Sequence, residues 1–455
     1  MSFLFSTADA LELCRSSRLK TLIAWLLVLF GAGTLIANTI PLPHRKCVDF
    51  SNVFAGAVCL VHDCSPYRFD SVHSVLVQHG YDELTKDDWA TQLPLYPPPT
   101  LVLFAPVTGF SFLTARLLVY LLMFAVCALA CFRLVLAAPT LAALSPLTRG
   151  AFLLVFCLST APRWAIHSCN PVILSTGLLL YCCFMEESAS GWLPAFCFAI
   201  AVLLKPQVAL PFALPLWVKP ANGKKMVLRG LALVVIVALA TFMWCAQHPH
   251  LAGWRAELGA NLAFGSAAGN DMSDFDRISM RNPRLNLSYM IGYFIQDRRL
   301  EQTLASLILI VGLAVLIFGL LKIRALFSPT RFSLGVAAAS ALTLLLVYHR
   351  GYDAVILTAA VPWTLKALAD HRHRAAAWTI MFLIVTNWIM WEWYLPSSVV
   401  SGRYFHNSPH LFMFISYRFH AILTLLITVM FLALLFMKDD PVSTNMVPNG
   451  SEAAA

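Results

Sequence analysis

Apolar stretches near the length of a bilayer crossing alternate with short polar connections along almost the whole chain. A helical crossing needs about 20 mostly apolar residues. Runs close to that length fall at about 20–41, 113–136, 150–166, 169–185, 191–204, 206–218, 227–246, 300–321, 332–348, 353–369, 375–394 and 412–437. The pattern predicts an all-α polytopic membrane protein of about twelve transmembrane helices. The runs 191–204 and 206–218 are short, and Pro206, Pro211 and Pro215 interrupt the second. Two tilted spans fit this pair, and so does one broken pair lining a cavity, where a non-helical backbone is tolerated. The first run exceeds the roughly 7–15 apolar residues of a signal-peptide core, so it is expected to stay in place.

Two long polar loops interrupt the alternation, at about 42–112 and 247–299. In the first, Phe50, Val53, Phe54, Ala57, Val58 and Val61 recur at helical spacing. That spacing predicts an interfacial helix over 50–62 with its apolar face toward the bilayer. Asp49 would be its N-cap or lie just before it, and Pro66 would end it. Residues 1–438 read as a single transmembrane domain, and the Pro-, Ser- and Asn-containing segment 439–455 as a disordered cytoplasmic tail. No inverted hydropathy repeat stands out, which argues against a secondary transporter.

Composition agrees with the pattern. Only 12% of the 455 residues are charged and 59% are hydrophobic, whereas soluble proteins carry roughly a quarter charged residues. Twelve Trp and 31 Phe suit a lipid-facing surface with aromatic belts. The net charge of +9 does not mark a nucleic-acid binder, because much of it sits in short connections. Arg15, Arg18 and Lys20 lead the first span, which places the N-terminus inside. The inner connections then hold Arg133 and Arg149; Lys219, Lys224, Lys225 and Arg229; Lys322, Arg324 and Arg331; Lys366, Arg372 and Arg374; and Lys438. Only the Glu186–Glu187 turn lacks a positive charge. Both long loops and the short turns near 167, 205 and 350 fall on the outer face.

That face collects the candidate chemistry. Asp49 emerges just past the first span, where a carboxylate can take a proton from a sugar hydroxyl while a lipid-linked substrate stays in the membrane. Helix capping is the competing role for it. Tyr96-Pro97-Pro98-Pro99 fixes an extended path, and Tyr96 is placed to stack on a sugar or bond a hydroxyl. Arg163, His167 and Asn170 cluster where the third span meets the fourth. Lys205-Pro206-Gln207 breaks two apolar runs, and a lysine there is functional or paired by default, with a lipid phosphate as the natural partner. Snorkelling is the alternative. Tyr348-His349-Arg350-Gly351-Tyr352-Asp353 packs five polar or aromatic groups into a short turn. His349 and Arg350 suit a phosphate, with Asp353 orienting one of them. The segment 271–299, with Asp271, Asp274, Asp276, Arg277, Arg281 and Arg284, reads as a solvated lid. Of twelve cysteines, Cys47, Cys59 and Cys64 share the first outer loop, where one pair has the setting to oxidise and one thiol is left over. No Cys/His spacing suggests a metal.

The order of these elements resembles glycosyltransferase family 87, membrane enzymes of the GT-C class that use polyprenyl-phosphate sugars and include mannosyl- and arabinofuranosyltransferases. The resemblance spans roughly residues 20–370. It rests on Asp49-Phe50 after the first span, Pro66-Tyr67, Tyr96-Pro97-Pro98, Lys205-Pro206-Gln207 and the turn 348–353. Where the family often has Gly-Gln-Xaa-Asn, this chain has His167-Ser168-Cys169-Asn170, so only Asn170 carries over. The resemblance implies a GT-C fold and an inverting transfer at the outer face of a bacterial plasma membrane. A polyprenyl-phosphate sugar would be the donor and a glycan or glycolipid the acceptor, with no cofactor or metal. Asp49 would be the general base, and Lys205, His349 and Arg350 would bind the donor phosphate. Tyr96, Arg163, His167, Asn170, Gln207, Tyr348, Tyr352 and Asp353 would line the substrate site. A flippase of a polyprenyl-linked sugar and a lipid-linked polymerase or ligase are the alternatives.

Overall fold

The computed structural model describes residues 7–41, 47–82, 94–131, 144–184, 191–220, 222–266, 284–295, 297–325, 327–346, 349–369, 373–389 and 410–437. Tyr348, the charged stretch 271–281, the Glu186–Glu187 turn and the tail 439–455 lie outside the described residues. The described residues form helices and no strand; their one β-type pairing is an isolated antiparallel bridge between Arg284 and Arg350.

Among the described residues, five helices are long and apolar enough to cross a membrane: Arg18–Thr39, Phe112–Ala130, Gly223–Gln247, Arg298–Ala325 and Pro329–Leu346. A sixth crossing results if Thr160–His167 and Val172–Phe184 count together, although they meet at 115°. The other expected spans are shorter apolar helices, at Pro146–Leu158, Trp192–Leu204, Pro206–Val218, Arg374–Ile389 and Arg418–Leu434. The predicted span 353–369 begins instead as a 3-10 helix, Gly351–Ala360, and turns α-helical over Val361–Ala369.

Pro329–Leu346 is the central helix, with 78% of its apolar window buried against 17% for Arg18–Thr39. The peripheral helix Thr7–Thr39 lies along Pro146–Leu158. They approach closely because Gly150 has no side chain: a Cβ there would come within 2.9 Å of the Ala24 backbone. Such contacts suit helix pairs in lipid, where close packing rather than water expulsion drives association.

The first long loop departs from expectation. Its helix runs Val48–His62, and Phe50, Val53, Phe54, Ala57 and Val58 are buried in the protein. It does not rest its apolar face on the bilayer. Helix Phe69–Gln78 and the segment Pro98–Val107 cover it instead, and the rings of Phe50 and Phe54 pack on Phe112 at 5.5 and 5.6 Å. Cys59 and Cys64 form a disulfide across the helix end, at a turn that Asp63 makes in the left-handed region. Helix Trp254–Ser266 of the second long loop clamps this loop: Glu257 accepts from Ser65 Oγ and, at 2.6 Å, from Arg68 Nε. Asn261 donates to the carbonyls of Tyr67 and Pro94.

Candidate active site

Helix Val48–His62 starts at Cys47, whose side chain makes no capping bond, so Asp49 is not the N-cap. Asp49 lies in the first turn, where the helix dipole favours a carboxylate. Cys47 pins this end to a sharp bend: its Sγ donates to the Ser168 carbonyl at 3.2 Å, and its N–H reaches the Tyr81 hydroxyl at 3.4 Å.

The bend joins helices Thr160–His167 and Val172–Phe184. Cys169 holds φ +46° there, a backbone state that residues with a Cβ adopt at a cost. Pro171 follows, and the Asn170 side chain organises the next helix by accepting from the Val172 N–H at 3.0 Å. With its oxygen so fixed, the Asn170 amide turns its NH2 to Asp49 and donates to Oδ2 at 3.2 Å. Asn170 is buried, while Asp49 is only partly so.

The second half of the site is built at another break. Lys205 sits between helices Trp192–Leu204 and Pro206–Val218 with φ −147° and ψ 82°, and Pro206 supplies no N–H to continue the first helix. Its side chain turns inward and donates from Nζ to Asp353 Oδ1 at 2.6 Å. The other Asp353 oxygen receives His349 Nδ1 at 2.9 Å. An ionised Asp353 fixes the proton on His349 Nδ1. His349 Nε2 is then buried with no hydrogen-bond partner among the described residues. Lys205, His349 and Asp353 are all buried, and the Lys205 ammonium also lies 5.8 Å from the centre of the Tyr352 ring. The backbone of this turn is held from the second long loop, where the Leu285 N–H donates to the His349 carbonyl at 3.1 Å.

Tyr96 joins the two halves. Its carbonyl accepts from the Tyr67 hydroxyl at 2.8 Å. Just beyond the prolines, Thr100 donates to the Leu203 carbonyl at 2.6 Å, beside Lys205. Burial pushes the Tyr96 phenol well up, and so do the carboxylates of Asp49 and Asp353, while Arg350 and Asn170 act in the opposite sense. Tyr96 therefore lies in the field of both acids. Asp49, Tyr96, Asn170, Lys205, His349, Arg350, Tyr352 and Asp353 thus converge from five separate stretches of chain. Arg163 and His167, both half-buried, lie on the short helix before the bend, with the His167 ring 5.9 Å from Trp164. The Gln207 carbonyl accepts from Thr343 Oγ1 at 2.7 Å.

The surroundings hold groups the sequence did not single out. Arg116 begins the span Phe112–Ala130, is 1% exposed, and donates to the His167 carbonyl at 3.4 Å. An arginine at the end of an apolar run reads as a topology signal, so nothing in the sequence marks it as an internal support of the bend. Glu257 and Asn261 were equally hidden in a polar loop. Among the described residues no group of three or more His, Cys, Asp or Glu side chains has the arrangement of a metal site.

A sequence model of glycosyltransferase family 87 matches residues 95–348, more than half of the chain. The match takes in Tyr96, Asn170 and Lys205 and stops before His349, and Asp49 precedes it. No curated protein and no solved structure matches the chain. With several apolar helices fit to cross a membrane and a family match over most of the helical region, the chain belongs to glycosyltransferase family 87 and is a membrane glycosyltransferase.

Proposed function

We propose that the protein transfers a sugar, a hexose such as mannose or a pentose such as arabinofuranose, from a polyprenyl-phosphate donor to a hydroxyl of a glycan or glycolipid. The reaction occurs at the outer face of a bacterial plasma membrane, within a GT-C-type fold. The observation that carries this reading is the meeting of a partly open carboxylate, Asp49, with a cationic and aromatic cluster drawn from residues 96, 205 and 349–353.

Asn170 takes one Asp49 oxygen and leaves lone pairs on the other for the acceptor. The acceptor hydroxyl gives its proton to Asp49 as its oxygen attacks the anomeric carbon. The bond from that carbon to the lipid phosphate breaks, its electron pair leaves with the phosphate, and the configuration inverts. The departing group is an anion and needs stabilising charge more than a proton. Arg350 supplies charge, and His349, in its doubly protonated form, donates to the phosphate from Nε2 while Nδ1 stays on Asp353. Lys205 has two N–H donors beyond the one given to Asp353, and it also holds Asp353 ionised against His349. Tyr96 and Tyr352 offer rings and hydroxyls to the sugar, and Arg163, His167 and Gln207 complete the wall.

The Cys59–Cys64 disulfide supports an oxidising compartment for this end of the bundle, and the basic inner connections support the same orientation. The test is to offer purified protein a panel of radiolabelled polyprenyl-phosphate sugars with glycolipid acceptors. Transfer from at least one of them is expected. Transfer only from a nucleotide sugar or a polyprenyl-diphosphate sugar would overturn the donor assignment.

A further inference from the structure

The broken helix Pro206–Val218 has the candidate site at one end and a second polar cavity at the other. Its thirteen residues span about 20 Å, which separates Lys205 from Trp217. The second cavity has a volume of about 340 Å³, within the range of small-ligand sites. Lys219, Lys224 and Arg324 line it, and so do Trp217 and Phe327. No carboxylate is among the described lining residues. The cations come from three places: the end of helix Pro206–Val218, the start of Gly223–Gln247 and the last turn of Arg298–Ala325.

Ordinary structural roles account for part of this. Lys219 Nζ donates to the carbonyls of Cys183 and Cys182 at 3.1 and 3.4 Å and so caps helix Val172–Phe184. Lys224 Nζ lies 5.3 Å from the centre of the Trp217 ring. Neither role explains why Arg324 converges on the same cavity from a different helix. Three like charges around one concave space repel one another unless an anion sits among them.

The level of the cavity identifies the source of that anion. Two further cation–aromatic pairs lie at the same end of the bundle, Arg229 over Trp192 at 4.6 Å and Lys322 over Phe436 at 6.0 Å. Pairs of this kind collect where a membrane meets water. Trp217 and Phe327, at 37% and 38% exposure, offer apolar walls beside the charges. A free ion has no use for such walls, whereas a phospholipid sets its phosphate among the cations and its glycerol and upper chains against the rings.

We infer that Lys219, Lys224, Arg324, Trp217 and Phe327 form a binding site for the phosphate headgroup of an anionic phospholipid of the inner leaflet. Bound there, the lipid bridges the ends of helices Pro206–Val218 and Arg298–Ala325, opposite the end that carries Lys205. The inference does not depend on the sugar chemistry proposed above.

Native mass spectrometry of the full-length protein, extracted from vesicles of equal phosphatidylglycerol and phosphatidylcholine, tests it. The parent should retain phosphatidylglycerol in preference. Each cation near an anionic surface contributes about fivefold to binding. The Lys224→Gln/Arg324→Gln double variant should therefore lose roughly twenty-five-fold of its retention if the effects add. Both side chains are exposed, so folding should persist, and the Lys224→Arg/Arg324→Lys variant should retain the lipid as the parent does. Equal retention of the two lipids by the parent, or parental retention by the glutamine variant, would overturn the site. So would stabilisation of lipid-free protein by inorganic phosphate to the same degree as by phosphatidylglycerol, since the ligand would then be a soluble anion.

Discussion

Asp49 and Asp353 each sit in the first turn of a helix that starts on the same side of the bundle, and their bonding is used very differently. Asp353 is 2% exposed and has both oxygens committed, to Lys205 at 2.6 Å and to His349 at 2.9 Å. Asp49 is partly exposed, and Asn170 reaches one of its oxygens at 3.2 Å. A carboxylate held from both sides by buried donors is an anchor. One held on a single side keeps lone pairs for a substrate. The same residue type thus supports structure at one break in the helices and, in the proposed mechanism, chemistry at the other.

The largest expected effect is on turnover. Asp49→Asn keeps the side-chain shape but removes the base, so transfer should fall about 10²–10⁴-fold with the thermal unfolding midpoint near the parent's. Asp353→Asn should show the opposite balance. It leaves the Lys205 ammonium in a buried place without its counter-charge, and breaking a buried pair costs about 3–5 kcal/mol. Chemical denaturation should register that loss, and adding Lys205→Met should restore part of it. If Asp353→Asn unfolds like the parent, the two acids do not differ as described.

Asn170→Ala sharpens the Asp49 side of the comparison. It removes one bond to a charged group, a contact worth about 1.5–3 kcal/mol, so transfer should drop roughly ten- to a hundredfold through a misplaced carboxylate. An unchanged kcat would mean that Asn170 serves only the helix it caps. The smallest effect belongs to the rim. Arg68, whose side chain is 71% exposed, pairs with the mostly covered Glu257, which keeps its bond from Ser65 Oγ when Arg68 is lost, so Arg68→Ala should cost under about 1 kcal/mol by denaturation.

Features that announce themselves locally could be read from the sequence. Lys205 stands out because a charge and Pro206 interrupt an apolar run, and Asp49 because it follows the first span so closely. The contacts that give these residues meaning join positions 121 and 148 apart in the chain, and one sequence carries no sign of such pairings. Burial was also hard to read. In a chain this apolar, a face turned to lipid and a face turned to protein use the same residues, so the helix Val48–His62 looked interfacial although its Phe50 and Phe54 are fully covered. The bend at Cys169 is set by backbone dihedrals and by the Asn170 cap. Hydropathy averages over both: it puts a turn between the predicted spans 150–166 and 169–185 but not its geometry, and it misses the break that divides the first into Pro146–Leu158 and Thr160–His167.

The central claim is that Asp49 works on the acceptor while the turn around Arg350 holds the donor phosphate. Binding of a polyprenyl-phosphate sugar and formation of product, measured on the same preparations of the parent, Asp49→Asn and Arg350→Ala, test it most directly. Asp49→Asn should bind the donor as the parent does and yield almost no product, while Arg350→Ala should bind it about ten- to a hundredfold more weakly. Near-parental turnover by Asp49→Asn, or undiminished donor binding by Arg350→Ala, would contradict the account.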